Sequence, residues 1–313
     1  MKKTLVALAI LAASGASFAQ ATITGSYAFG YSSSTGGGAA AASGLGTDTS
    51  DVNFAASEDI GGGMSASAKM GISGAHRGNA VVGNTATVGI KNASFGLTLG
   101  TVESANGLLA IGSSGASGFG LDGKVISGSA NIDLLSLSFP VSSALTIGAT
   151  YVDRGNSATG VGTGLGVGTA GGADAQPSTG VSVTYAAGAI SAKADYTSWG
   201  KQDELSTAAT PAAMTNKSRV RLSGAYDLGV ARLSLGYSTF DTTGANAAKK
   251  ETLLGVKVPM GAVTLGLDYA IAQKAGLQDG SGYSLGVGYD LSKRTNIGAS
   301  IASYHAAAAV TAE

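Results

Sequence analysis

Cysteine is absent from all 313 residues, which removes disulfides, thiolate metal sites and thiol nucleophiles together. Charge is scarce as well: Asp, Glu, Lys and Arg make up 12%, about half the usual globular share. The apolar positions are sparse and single-sided, unlike those of a soluble chain with a core of Leu, Ile and Phe. No stretch carries the 3.6-residue period of a helix, and no run of eighteen apolar residues could span a bilayer as one. Histidine occurs twice, at His76 and His305; both read as solvated loop side chains rather than as members of a Ser/His/Asp triad. No fixed-period repeat marks a solenoid.

What is present is glycine, 50 residues of it, and alternation. Between Arg219 and Phe240, Val220, Leu222 and Tyr226 share one parity, with Arg219, Arg221 and Ser223 on the other. After a break at Asp227-Leu228-Gly229 the pattern resumes, with Leu233, Leu235 and Tyr237 apolar and Arg232, Ser234 and Ser238 polar. Successive side chains of a strand point to opposite faces, so this is a hairpin with one apolar and one polar face. The pattern recurs from Thr22 nearly to the end. A sheet of that size must place its apolar face against something, and in hydrocarbon only helices or closed barrels satisfy every backbone polar group. The chain is therefore expected to be all-β: a transmembrane antiparallel β-barrel with lipid outside and water inside.

Short turns of about two to five residues alternate with longer loops of about eight to twenty-five, as in outer-membrane barrels. The longer segments include a Gly/Ala/Ser stretch from Ser32 to Ser50, Glu103 to Lys124, and Asp153 to Ser178. About fifteen strands can be counted. Tyr31, Tyr151, Tyr196, Trp199, Phe240 and Tyr289 fall near strand ends, where interfacial girdles stand. At the N-terminus, Lys2 and Lys3, the apolar stretch Leu5 to Ala13 and Ser17-Phe18-Ala19 read as a secretory signal peptide over residues 1–19, leaving one domain over 20–313. Without Lys2 and Lys3 the rest carries 17 basic against 19 acidic residues, so global charge gives no nucleic-acid signal. Gly118, Gly120 and Gly123 match a dinucleotide fingerprint by letters, but in no βαβ context. No catalytic residue, metal site or cofactor is expected.

Four stretches carry a family resemblance: Ile23-Thr24-Gly25-Ser26-Tyr27 after the leader, S-E-D-I-G-G-G-M at Ser57 to Met64, F-G-L-T-L-G at Phe95 to Gly100, and Y-D-L-S-K-R-T at Tyr289 to Thr295. With them the chain resembles the general trimeric porins of Gram-negative outer membranes, in particular the beta-proteobacterial branch, along nearly its whole length. The resemblance implies about sixteen strands, a homotrimer in outer-membrane lipid, and a third extracellular loop folded inward, by position Thr101 to Lys124. It also implies a closing strand that ends on an aromatic residue. His305 to Glu313 departs from that, with Val310 its one strong strand former, and inefficient closure is the expectation.

On this reading Lys69, Lys91, Lys193, Arg219, Arg221, Arg232 and Lys257 share the pore-lining parity, with Asp195 and Asp268 as the chief acids there. Glu103, Asp122 and Lys124 belong to the constriction loop. A basic wall facing Glu103 or Asp122 would set a transverse field, since rings of charge and pore diameter are how such pores select. The expected function is a passive, water-filled diffusion channel for small hydrophilic solutes and ions, weakly anion-preferring. The alternative is a secreted Gly-rich β-structural or adhesive surface protein.

Overall fold

The computed structural model describes residues 20–36, 39–74, 80–104, 106–116, 118, 120–128, 130–153, 177–200, 214–244 and 246–307. The expected leader at 1–19, His76 and the last residues from 308 lie outside them. Fifteen antiparallel strands are hydrogen-bonded in chain order within one sheet. Among the described residues β1 pairs with β2 and β15 with β14, and no ladder joins β1 to β15. Two compact units divide the chain.

The first unit takes Met1–Val102 with Leu134–Leu137. It contains β1 (Gln20–Gly36), β2 (Ala39–Gly61), β3 (Met64–Ser73), β4 (Val82–Lys91), most of β5 (Gly96–Ser104) and the middle of β6 (Ala130–Pro140). Its turns follow from local chemistry. Asp59 Oδ1 accepts the Gly61 N–H at 2.8 Å, and Gly61, Gly62 and Gly63 all take positive φ, a conformation that suits glycine. Asn92 Oδ1 accepts the N–H groups of Ser94 and Phe95 at 2.8 and 2.9 Å, closing the β4–β5 turn.

The second unit takes Glu103–Asp133 with Ser138–Glu313. One turn of helix, α1 (Leu109–Gly112), precedes β7 (Leu145–Asp153), β8 (Ser178–Ala187), β9 (Ile190–Trp199), β10 (Met214–Asp227), β11 (Arg232–Gly244), β12 (Ala248–Met260), β13 (Val263–Lys274), β14 (Gly280–Ser292) and β15 (Thr295–His305). The hairpin read from alternation is β10–β11, with Leu222 opposite Tyr237 and Tyr226 opposite Leu233. Its turn is stapled by Asp227 Oδ1, which accepts the Gly229 N–H at 2.8 Å. Apolar residues face one another across successive ladders: Leu235 opposite Leu254, Leu267 opposite Val256 and Leu285. Val220, Leu222, Leu233, Leu235, Leu265 and Leu267 are each 37–51% exposed. Side chains left this open on mid-sheet positions are not a soluble core.

Three expectations change. The Ser32–Ser50 stretch is mostly strand: β1 and β2 pair from Gln20↔Ser57 out to Gly36↔Ala39, because ladder hydrogen bonds use backbone groups that even Gly, Ala and Ser possess. The same extension shortens other expected loops, leaving residues 245–247 between β11 and β12 and 275–279 between β13 and β14. The girdle also loses two members. Tyr151, Tyr196 and Tyr289 share the apolar parity, each in register with it through Thr179, Val220 and Val263. Phe240, however, lies opposite Arg219, and Trp199 shares the parity of Thr197, the other partner of Arg219. Both sit on the polar face.

The face assignment has a direct test. Leu235→Arg should cost about 2–4 kcal/mol when the protein refolds from denaturant into lipid bilayers, the scale for an arginine near the midplane. Ser182→Arg, on the opposite face with Asp195 across the ladder, should cost far less. Equal penalties would overturn the assignment.

Candidate functional site

A polypeptide laid across a sheet needs room and partners, and the segment from Asn106 to Gly128 finds both on the polar face of the second unit. Room comes from glycine. A Cβ at Gly236 would stand 2.9 Å from Leu108 Cδ2, and one at Gly255 only 2.3 Å from the Ser114 nitrogen. Gly112 of α1 rests directly on the Gly236 backbone, where a Cβ would be 2.9 Å from its Cα. With this approach, Leu108, Leu121, Val125 and Ile126 of the loop pack with Leu253, Ala270 and Ala272 of the sheet into the main buried apolar cluster. The core of this unit lies beneath the loop.

Partners come from charge. Asp268, 5% exposed, accepts the Ser114 N–H at 2.6 Å through Oδ1 and the Ser114 hydroxyl at 2.8 Å through Oδ2. Glu251, 2% exposed, accepts the Ser127 N–H at 2.7 Å and the Ser127 hydroxyl, both through Oε1. Arg232 donates its fork to two carbonyls, Ser113 O at 2.9 Å and Ile111 O at 3.1 Å. Asn106 ties the two ends of the segment together. Its Nδ2 donates to Ser127 O at 2.7 Å, and its Oδ1 accepts the Leu108 N–H at 3.0 Å. At the far end, Leu121 O accepts the Val125 N–H at 2.9 Å, and Gly123 N–H donates to Ile126 O at 2.8 Å. Hydrogen bonds to charged groups contribute roughly 1.5–3 kcal/mol each, so the three latches outweigh the ordering of a few residues.

The basic residues divide by what they touch. Arg221 is 6% exposed, donates Nε to Ser238 Oγ at 3.0 Å and lies so near the loop that a Cβ at Gly107 would stand 2.2 Å from its Nη1. Arg219 donates Nη2 to Thr197 Oγ1 at 3.0 Å, pairs with Asp195 at 3.5 Å and stacks over the Trp199 ring at 5.5 Å. Lys193 faces Ser223 and Thr184 across its two ladders, and Lys257 faces Arg232 and Gly266; both are half-buried. In the first unit, Lys69 lies opposite Ala55 and Thr87, and Lys91 opposite Ser65, exposed on one face of that sheet.

The acids of the expected constriction loop lie in two places. Glu103 ends up in β5 and is exposed, while Asp122 and Lys124 are half-buried in the 121–126 turn. Among the described residues no ion pair joins Glu103 or Asp122 to the basic residues of the sheet. The acids that meet the loop come from the sheet, and they take its N–H and O–H groups. Glu251 was missed in sequence reading, although it shares the parity of Leu253 and Gly255. That alternation of acid, leucine and glycine on the polar parity was the available signal.

Either Asp268→Ala or Gly255→Leu should free the loop, one by removing a latch and the other by occupying its bed. Trypsin cleavage after Lys124 reads this out. A lost charged hydrogen bond corresponds to about tenfold or more in the open population, so cleavage should accelerate by at least that factor. Unchanged rates in both variants would mean that these contacts do not hold the segment.

The profile described as Gram-negative porin matches residues 4–308. No curated protein matches. Among solved structures, a variant of the Rhodopseudomonas blastica porin is 16% identical with a TM-score of 0.63, covering 91% of this chain and 94% of that one. The anion-selective porin from Comamonas acidovorans is 22% identical with a TM-score of 0.66, covering 90% of this chain and 88% of that one. At such identities the likeness to these two structures concerns the fold.

Proposed function

Since this chain belongs to the Gram-negative porin family, we propose that it is an outer-membrane, passive, water-filled channel for small hydrophilic solutes and ions. The observation that carries this reading is a sheet whose apolar face is left exposed while its polar face bears a pinned loop. On this reading the loop narrows the aqueous path, and passage follows size and charge rather than any reaction. Residues 1–19 act as an export signal, and three copies assemble in the membrane. The adhesive alternative finds no support in a surface that fits hydrocarbon on one side and a latched constriction on the other.

Selectivity on this reading is weakly anionic. Arg221 and Arg232 are committed to the loop, so within the second unit the residues that bias passing ions are Lys193, Lys257 and the partly exposed Arg219. Lys69 and Lys91 contribute from the first unit, Glu103 from the end of β5, and Asp122 and Lys124 from the loop. The anion-selective description of the Comamonas acidovorans porin agrees with this sign.

Planar-bilayer recording tests both statements. Stepwise conductance is expected from refolded protein, with a reversal potential on the anion side in a KCl gradient. Lys193→Glu combined with Lys257→Glu should move that potential toward cations, and more so at 0.1 M than at 1 M salt, where the screening length falls from about 10 Å to about 3 Å. A native channel that prefers cations, or a double variant with no shift, would contradict the assignment.

A further inference from the structure

The chain has one tryptophan, and its position is unexpected for a membrane protein. Tryptophan in such proteins gathers at the interface with lipid, yet Trp199 shares the loop-bearing parity at the end of β9, in the same row as Thr197 and Asp195. Lipid contact therefore does not account for it. Phe240 stands on the same face, directly opposite Arg219 across the β10–β11 ladder. Arg219 thus lies on the strand between two aromatic residues, with its guanidinium 5.5 Å from the Trp199 ring centroid.

That guanidinium is held in place. Nη2 donates to Thr197 Oγ1 at 3.0 Å and stands 3.5 Å from Asp195 Oδ1. Its side chain keeps 22% of its surface in solvent, and both aromatic residues are half-buried rather than enclosed. A planar cation fixed by its edge, beside aromatic rings, is preorganised to stack a further planar π system. The charge nearby favours an anion: on the polar parity of β9 and β10, Lys193 and Arg219 keep contact with solvent and outnumber Asp195, while Arg221 is covered by the loop.

We propose that Trp199, Arg219 and Phe240 form a subsite for planar aromatic anions, such as aromatic carboxylates, on the polar face of the second unit. The ring stacks on the arginine–tryptophan platform, and the carboxylate is drawn by the surplus of cations. This rests on the channel reading, because the solute reaches the platform through water on that face. Binding itself can be measured without conduction.

Benzoate and cyclohexanecarboxylate, equal in charge and similar in size, separate stacking from simple ion attraction. All emission from tryptophan in this chain comes from Trp199. Benzoate should change that emission saturably in refolded protein, whereas cyclohexanecarboxylate should not; no saturable change, or equal changes with both, would overturn the subsite. In bilayers benzoate should interrupt the current with dwell times about three- to tenfold longer than cyclohexanecarboxylate, the range set by an aromatic contact. Trp199→Leu should bring this ratio, measured within the variant, to about one. A native ratio of one, or a ratio unmoved by the substitution, would also overturn it. If Trp199→Leu does not assemble, the emission titration of the unmodified chain decides alone. A protein that binds benzoate saturably but never conducts would refute the channel and leave the subsite standing.

Discussion

The ladder of backbone hydrogen bonds is the constraint on which the rest of this structure depends. Every strand from β1 to β15 bonds to its sequence neighbour, and a strand in a ladder has no freedom over where its side chains go: they alternate. The apolar parity is thereby forced to one side in each hairpin of the second unit, and a one-residue slip would put Leu222 and Leu235 on the face that bears the loop. The ladder also explains why strands extend through poor strand formers. Between Ser32 and Ser50, backbone pairing alone carries β1 and β2 outward, so a stretch that looks like linker by composition is a hairpin by geometry.

Alternation leaves the polar face free to specialise, and it does so by subtraction. Gly236 and Gly255 are small where Leu108 and Ser114 must come close, which gives part of the glycine content a packing role. The charges fill the remaining need. Carboxylates with almost no solvent would be costly if unpartnered. Asp268 and Glu251 meet N–H and O–H donors of the loop, and Arg232 meets its carbonyls. Donor and acceptor are complementary in each case, so the loop is oriented by polar contacts and anchored by the Leu108, Leu121 and Leu253 cluster. Neither set would suffice alone: apolar packing does not fix direction, and buried charge without packing would draw in water.

Much of the fold was legible because period-two alternation is a direct imprint of the pleat. The β10–β11 hairpin, the Asn92 and Asp227 turns and the apolar parity could all be read from residue order. The site was less so. Parity places Arg221 and Arg232 on the polar face, but it says nothing about which of those positions a distant segment will cover. Arg232 meets carbonyls 119 and 121 residues away in sequence, a separation that no local pattern encodes. The same limit explains the girdle error. Proximity to a strand end suggested membrane anchors, whereas register with Arg219 sends Trp199 and Phe240 to the other face.

On the proposed channel reading, a charge on the polar face of such a sheet has two distinct consequences, and burial separates them. A covered charge such as Arg221 or Asp268 acts on solutes only through the position of the loop, and its contribution is insensitive to salt because little solvent lies between it and its partners. A half-exposed charge such as Lys193 acts through the field it projects into water, which salt screens. Ionic strength thus distinguishes the two groups in one molecule: shape-based exclusion should persist at high salt while charge preference fades. Charges that hold the loop and charges left to water are interleaved on the same strands, sometimes as direct neighbours, as Arg232 and Lys257 are across one ladder. On the proposed reading, substituting the first changes the position of the loop and substituting the second changes the field in water.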